Sequence, residues 1–186
     1  MMSTSAQARE TEEPVYKVVK TTPDYEVRAY ESYLIASVVI EGKYKEITGH
    51  GFRLIADYIF GNNQRQTKIK MTTPVVHESL PKMKVADSIG SYTIYFVMPA
   101  QYSIDTISLP NNTMIKLTNM PARKVAVAKF SGSFSHTKAL AIHQKLKQQL
   151  QSNGYHHTEK LIFARYNPPW TPPSMNRHEV WIELVD

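Results

Sequence analysis

The sequence predicts an α+β fold built from two copies of a strand–strand–helix–strand–strand unit. Two stretches with helical periodicity, 44–60 and 135–153, are each followed by glycine, the usual residue after a helix end. Segments with strand alternation lie on both sides of each helix, and the order recurs at a nearly constant offset. We therefore expect eight mostly antiparallel strands to form a distorted β-barrel about a pseudo-twofold axis, flanked by two helices.

The first copy contains four predicted strands around one helix. Its elements are strands at 25–28 and 34–40, a helix at 44–60 closed by Gly61, and strands at 68–76 and 92–98. In the third strand, alternation places Ile69 and Met71 on one face. Pro74 predicts the end of regular pairing, an edge or a bulge, because proline has no N–H for the ladder.

The second copy repeats this order from Met114. Its elements are strands at 114–118 and 124–130, a helix at 135–153 closed by Gly154, and strands at 160–166 and 180–185. Glycine precedes both helices, at Gly42 and Gly132. The apolar pattern of the last strand predicts that Trp181 lies in the core.

Composition predicts one globular domain and excludes several classes of function. The chain has 186 residues, of which 42% are apolar, and we expect a disordered tail over 1–13 and one domain over 14–186. It has no cysteine, so disulfides and thiolate chemistry are excluded. The start is polar and no apolar run approaches the roughly 18 residues that span a membrane, which predicts a soluble, cytoplasmic protein. The net charge of +6 is spread along the chain without a dense basic run, so we expect no nucleic-acid partner.

The chain carries no catalytic motif. Nucleophile elbows, phosphate-binding glycine loops, dinucleotide fingerprints and His-Glu-X-X-His pairs are all missing from the sequence. We therefore expect a binding protein and not an enzyme.

The first helix has a wider apolar surface than a helix on a sheet requires. Beside the core stripe lies a second apolar shelf, bordered by Arg53. The shelf consists of Gly49, Phe52, Ala56, Ile59 and Phe60. A loop or a neighbouring subunit could cover it, or a flat apolar ligand could lie on Phe52 and Ala56, with Gly49 allowing close approach and Arg53 pairing with an acid group. The second helix has no such shelf, so a site is expected in the first half.

A proline-rich segment precedes the last strand. Residues 166–173 contain four prolines around Trp170, so they cannot continue a helix or lie inside a sheet. We expect a stiff ordered loop at the rim of a binding site, with Trp170 packed either against a ligand ring or on its own prolines.

Several ordered blocks resemble the SOUL heme-binding protein family. They are Tyr25-Glu-Val-Arg-Ala-Tyr30, His50-Gly-Phe, Tyr58-Ile-Phe-Gly-Asn62, Lys68-Ile-Lys-Met-Thr-Thr-Pro-Val75, Tyr166-Asn-Pro-Pro-Trp and Asn176-Arg-His-Glu-Val-Trp-Ile182. The resemblance covers about residues 14–186. It implies a distorted antiparallel barrel flanked by two helices that binds heme or related tetrapyrroles without covalent attachment. It also implies a surface cleft between the first helix and the loop before the last strand, which places Gly49, Phe52, Ala56 and 166–178 at the site.

The chain departs from the family pattern at two positions that concern iron. One family branch has a proposed axial histidine in the Tyr-Glu-X-Arg-His-Tyr stretch, and this chain has Ala29 there. It has His178 where family members typically show asparagine, so His178 is the candidate iron ligand; the alternative is a surface ion pair with Glu179. His143 lies in the apolar stripe of the second helix and is expected in the core.

These observations predict a carrier, buffer or sensor of heme or another tetrapyrrole. We expect the macrocycle to lie against Phe52, Ala56 and Phe60, with its propionates near Arg53 or Arg177 and the loop of Trp170 closing over it. One alternative is a protein-protein interaction module that uses the same apolar shelf. Another is the ligand-sensing domain of a regulator, although the chain has no helix-turn-helix to read DNA.

Overall fold

The computed structural model describes residues 11–79 and 90–185. Within these ranges the chain forms two α-helices, ten strands and a short 3₁₀ turn at Pro173–Met175. The helices are α1 (Tyr44–Ile59) and α2 (His136–Ser152). The strands are β1 (Tyr16–Thr21), β2 (Glu26–Tyr30), β3 (Tyr33–Gly42), β4 (Val75–Ser79), β5 (Gly90–Val97), β6 (Lys116–Met120), β7 (Arg123–Phe130), β8 (His156–His157), β9 (Ile162–Arg165) and β10 (His178–Val185).

Both helices end close to the predicted positions. Gly61 and Gly154 follow them with φ angles of 127° and 74°, which glycine adopts at little steric cost. In the described part of the chain, neither helix has the length and apolarity needed to cross a bilayer.

The strands form a curled antiparallel sheet whose order confirms the predicted duplication. The order is β1-β2-β7-β10-β9-β4-β5-β3-β6, with β8 paired to β10. Without β1, the order is symmetric about the β9–β4 pair. The third predicted strand of each copy (β4 and β9) lies at the centre, the fourth (β5 and β10) lies next to it, and the second (β3 and β7) follows. The first strand of each copy lies beyond these, next to the second strand of the other copy, as β2 pairs with β7 and β6 with β3.

The predicted strand at 68–76 is wrong over most of its length. Residues 68–74 have no regular strand, and β4 begins only after Pro74. The Ile69 N–H donates to the Ile59 carbonyl oxygen at 2.8 Å, and the Ile69 side chain is buried with α1. The alternation in this segment therefore reflects packing against a helix end, and Pro74 excludes a ladder through it. Strands β1 and β8 were not predicted, and they raise the number from eight to ten within the described residues.

Both helices pack on the same face of the sheet. Helix α1 lies on β3 and β5, and α2 lies on β7 and β10. Side chains of the two helices meet over the central strand β9, in a buried cluster that includes Tyr44, Ala139 and Phe163. The other face has its own apolar cluster, which contains the fully buried Trp181, as predicted.

Most of the predicted tail lies outside the described residues, which begin at Thr11. Residues 12 and 13 contact the domain: the Glu12 carbonyl oxygen accepts from Thr73 N–H at 2.9 Å, and Glu13 pairs with Arg177.

Candidate functional site

A cleft of about 970 Å³ opens where the two helix N-termini approach the proline-rich loop. One wall is the first turns of α1 (43–46 and 48), and a second wall is the connection from β7 into α2 (133–137). The proline-rich loop (167–173) covers it, and the floor contains Arg165 and His178.

The floor belongs to one row of side chains across the sheet. Arg165 is the direct cross-strand partner of both His178 on β10 and Val75 on β4, and Val75 is the partner of Phe96 on β5. Directly opposed residues of antiparallel strands share a face, and neighbouring strands lie about 4.8 Å apart. Arg165 is thus two strands, about 10 Å, from Phe96. The Phe52 ring contacts Phe96 with a centroid distance of 5.3 Å, so the row joins the cleft to the shelf of α1.

Aromatic rings form much of the cleft wall. Tyr44, the first residue of α1, stacks on His136 of α2 with ring centroids 4.2 Å apart and planes 8° from parallel. The Tyr44 hydroxyl is hydrogen bonded to His77 Nδ1 at 2.8 Å. Arg165 lies over the Phe134 ring at 5.1 Å. These contacts fix the walls at the junction of the two helices.

The cleft is electropositive. Of the described residues that line it, Lys43, Lys45 and Arg165 carry positive charge and one, Glu46, carries a carboxylate. The first turn of α1 has no side-chain cap, so free backbone N–H groups add partial positive charge. Among the described residues no carboxylate pairs with the Arg165 guanidinium.

The proline-rich loop is ordered by hydrogen bonds at both ends. Gly132 N–H donates to the Pro173 carbonyl oxygen at 2.9 Å, and Arg177 N–H donates to Asn167 Oδ1 at 2.6 Å. The loop thereby holds Trp170 at the edge of the cleft, where 83% of its side chain is exposed. An indole at this position can cover a ligand.

Of the sequence-predicted site residues, only Trp170 and the candidate iron ligand His178 line the cleft itself. Gly49 is half-buried, and Phe52, Arg53 and Phe60 are exposed on or directly after α1. Residues three or four positions apart share a helix face, so Gly49 and Phe52 continue the wall formed by Lys45 and Thr48. A ligand that filled the cleft and extended one turn along α1 would reach Phe52.

The shelf is narrower than predicted, because part of it is core. Ala56 is 7% exposed, and Ile59 is fully buried in a cluster with Ile69. The interpretation that a loop covers the shelf therefore holds at Ile59. Phe52, at 36% exposed, and Phe60, at 60%, remain accessible.

Arg177 lies away from the cleft. Its guanidinium pairs with Glu13 and Glu179, both at 2.9 Å, and lies over the Tyr166 ring at 3.7 Å. It lines a second cavity of about 510 Å³ with Thr73 and the N-terminal residues 11–13. A ligand carboxylate at Arg177 would have to compete with these two glutamates.

His178 is buried, at 2% exposed, and does not form the surface ion pair considered above. Its Nε2 is hydrogen bonded to the Gly132 carbonyl oxygen at 3.2 Å, so Nε2 carries the proton and Nδ1 holds a lone pair. Among the described residues Nδ1 has no partner. Burial and the neighbouring Arg165 charge lower the pKa of His178, which favours the neutral imidazole.

No group of three or more His, Asp or Glu side chains in the described ranges could hold a metal ion. His143 is buried in α2, as predicted.

Sequence reasoning missed Arg165, Tyr44 and His136. A signal for Arg165 was present: alternation in 160–166 puts it on the same face as Leu161 and Phe163, which are both buried. A charged residue at an apolar position of a central strand indicates a special environment. The stacking of Tyr44 on His136 depends on the meeting of the two helices, which local sequence does not encode.

Known proteins resemble this chain over most of its length. It is 24% identical over 159 residues to heme-binding protein 1 of Xenopus laevis, covering 84% of this chain and 82% of that protein. It is 28% identical over 160 residues to human heme-binding protein 2, covering 85% and 77%. The crystal structure of the EcmrR C-terminal domain has the same fold, with a TM-score of 0.68 at 11% identity, covering 92% of this chain and 99% of that one.

The family comparison covers nearly the whole described chain. The sequence model of the SOUL heme-binding protein matches residues 11–183, which include both copies of the duplicated unit, α1 and the proline-rich loop. The chain belongs to the SOUL heme-binding protein family.

Proposed function

We propose that this protein binds heme or a related tetrapyrrole non-covalently, as a carrier, buffer or sensor, in the cleft between α1 and the proline-rich loop. Family membership and relatives named as heme-binding proteins support the ligand class. The observation that carries the location is the cleft itself. Its volume of about 970 Å³ lies in the range of small-molecule sites, and it combines aromatic walls with Arg165, which has no carboxylate partner in the described ranges.

The residues present fit an amphipathic macrocycle with acidic side chains. One face of the ring would lie on the α1 surface formed by Gly49 and Phe52, with the buried Ala56 underneath this surface. The ring would extend along α1 toward Phe60. Trp170 would cover the other face. Arg53, whose guanidinium is close to Gly49, would contact an acid group at the outer edge.

Binding does not require an iron ligand. Burying apolar surface is worth about 25 cal/mol per Å², so covering both faces of a macrocycle provides several kcal/mol before the costs of association. Heme, when bound, supplies an iron that accepts a lone pair. His178 is the candidate donor through Nδ1, because Nε2 is hydrogen bonded to Gly132.

Hemin titration followed at the Soret band tests the proposal. We expect saturable 1:1 binding by the wild type and at least about tenfold weaker binding by Phe52→Asp and by Trp170→Ala, since each removes apolar contact with a ring face. Arg53→Glu should also weaken binding. The matched control is Val19→Asp, an exposed position on β1, four strands from β9 in the sheet order. No spectral change at micromolar hemin would contradict the proposal, as would equal losses in the control.

Exposed aromatic residues also favour the second candidate function, a protein-protein interaction module. Trp170 and Phe60 expose most of their side chains, and such residues are common in interfaces. This alternative requires that wild-type protein shows no tetrapyrrole binding, so the same titration separates the two.

A further inference from the structure

We infer that the cleft selects ligands with free carboxylate groups and that Arg165 is the residue that binds the carboxylate. This inference rests on the proposed tetrapyrrole function and specifies which chemical form of the ligand the site accepts. It differs from the sequence prediction, which placed the acid groups near Arg53 or Arg177.

The pairing of the arginines singles out Arg165. Four arginines are buried or half-buried in the described residues, and three of them have glutamate partners. Arg28 pairs with Glu26 and Glu179, Arg123 with Glu78 and Glu183, and Arg177 with Glu13 and Glu179. Among the described residues Arg165 has no carboxylate partner, and its guanidinium lies over the Phe134 ring. Removing a cation from water is costly unless an anion compensates it, so this site is suited to an incoming anion.

The position of Arg165 suits recognition from inside the cleft. It ends β9 on the cleft floor beside His178, and its guanidinium carbon lies 5.1 Å from the centre of the Phe134 ring. A guanidinium offers two parallel N–H donors to a carboxylate, which gives geometric specificity as well as charge. Arg53 is exposed on α1, and Arg177 is already neutralised by two glutamates.

Glu46 opposes this preference. It is the one carboxylate among the described residues that line the cleft, and it lies on the first turn of α1. A ligand carboxylate at Arg165 would approach it, so Glu46 should weaken binding of the acid form but not of an uncharged ester.

The test compares protoporphyrin IX with its dimethyl ester, measured by porphyrin fluorescence in one buffer. We expect the wild type to prefer the free acid, and Arg165→Gln to lose about tenfold or more in affinity for the acid while binding the ester as before. Arg165→Lys should recover part of the loss, because it keeps the charge but not the paired donors. Arg53→Gln is the matched control and should change the acid affinity less than Arg165→Gln does. Glu46→Gln should bind the acid about twofold more tightly and the ester equally well.

The possible failures are distinct. If the wild type binds both porphyrins equally, or if Arg165→Gln binds the acid as well as the wild type, the inference is wrong and the proposed function stands. If the wild type binds neither porphyrin, the proposed function fails and the inference with it. Urea unfolding of each variant checks that the half-buried Arg165 position tolerates glutamine. Glu46→Gln keeps Arg165, so the affinities of this variant for the acid and the ester test the inference even if the Arg165 variants are unstable.

Discussion

At the scale of single residues, Glu179 has the most completely satisfied buried charge in the described structure. Its side chain is fully buried and accepts from Arg28 Nη1 at 3.0 Å and Nη2 at 3.1 Å, and from Arg177 Nη2 at 2.9 Å. The Tyr166 hydroxyl and Trp181 Nε1 donate to it at 2.8 and 2.7 Å. Burial alone would raise the pKa of Glu179, but the charge and hydrogen bonds of Arg28, followed by those of Arg177 and Trp181, lower it. The Glu179 carboxylate therefore stays ionised although it is buried.

We expect Glu179→Gln to lower the free energy of unfolding by about 3–5 kcal/mol, because it leaves the buried Arg28 charge without its main partner. Urea unfolding measures this loss. In a double variant with Arg28→Met, the total loss should be smaller than the sum of the two single losses. Asp24→Asn, which removes an exposed pair with Lys145, is the control and should leave the midpoint unchanged. Additive losses would show that the two groups are not coupled.

His77 links stability to pH. Burial, with a smaller effect of the Arg165 charge, lowers the pKa of His77 to about 3. An unfolded histidine has a pKa near 6.5, so between these values the unfolded chain binds a proton that the folded chain excludes. Stability from this residue is present above about pH 6.5 and is lost as the pH falls toward 3. His143, with a pKa lowered to about 4 by burial, acts in the same direction.

We expect His77 to account for roughly 2 kcal/mol of the stability lost between pH 7 and pH 5. His77→Asn keeps an amide near the Tyr44 hydroxyl but does not titrate. The measurement is the free energy of unfolding of both proteins at the two pH values. The variant should lose less on acidification than the wild type, and equal losses would rule out His77 as a source of the pH dependence.

At the scale of elements, the two glycines of α1 have opposite surroundings. A Cβ at Gly51 would overlap the buried side chain of Ile94 and approach Ile40 Cδ1 at 3.2 Å. At Gly49 the nearest group to an added Cβ is Arg53 Nη1, at 3.4 Å. Gly51 thus lets the helix lie close to β3 and β5, whereas Gly49 faces outward.

We expect Gly51→Ala to destabilise the protein and Gly49→Ala to stabilise it. Overpacking at Gly51 costs about 1–3 kcal/mol, more than the gain in helix propensity of up to about 1 kcal/mol. Gly49→Ala should show that gain alone. The two variants are matched in chemistry, so the urea midpoints compare packing directly. Stabilisation by both would mean that α1 can move away from the sheet at no cost.

Gly49→Ala also tests the proposed ligand position. If the macrocycle lies on this face of α1, a methyl group at Gly49 holds the ring away from the helix and should weaken hemin binding severalfold while stability rises. The hemin titration described above measures it. Unchanged affinity would show that the ligand does not lie on Gly49 and would favour a position in the interior of the cleft.

The sequence contained enough to predict both helices and most strands, because their apolar patterns match the faces that pack on each other. The prediction of strands failed where exposure or tertiary contacts override the apolar pattern. Most of β1 is exposed at the sheet edge, so it lacks one-sided alternation. Segment 68–74 alternates because it packs against the C-terminal end of α1. At the site, the proline-rich loop and its place beside α1 were predictable. The alternation in 160–166 marked Arg165 as unusual, but its role was not predictable, because its environment comes from β4, β10 and Phe134, which lie apart in sequence.

At the scale of the whole molecule, the two copies of the unit are interlocked by exchanged strands. The strand β2 of the first copy pairs with β7 of the second, and β6 of the second pairs with β3 of the first. Tyr30 on β2 also packs against Trp181 on β10, with ring centroids 5.1 Å apart. Each copy therefore lacks a strand partner and part of its core when it is alone.

Fragments divided between the copies should fold only together. We expect residues 1–111 and 112–186, prepared separately, to show no cooperative urea transition, because each leaves unpaired strand edges and exposed apolar surface. Mixing them should restore a cooperative transition and shift the Trp181 emission to the blue as Tyr30 and β2 cover it again. A Trp170→Phe background removes the exposed indole from the signal. If fragment 112–186 alone unfolded cooperatively with blue-shifted emission, the second copy would be an independent unit, and strand exchange would not be what couples the two halves.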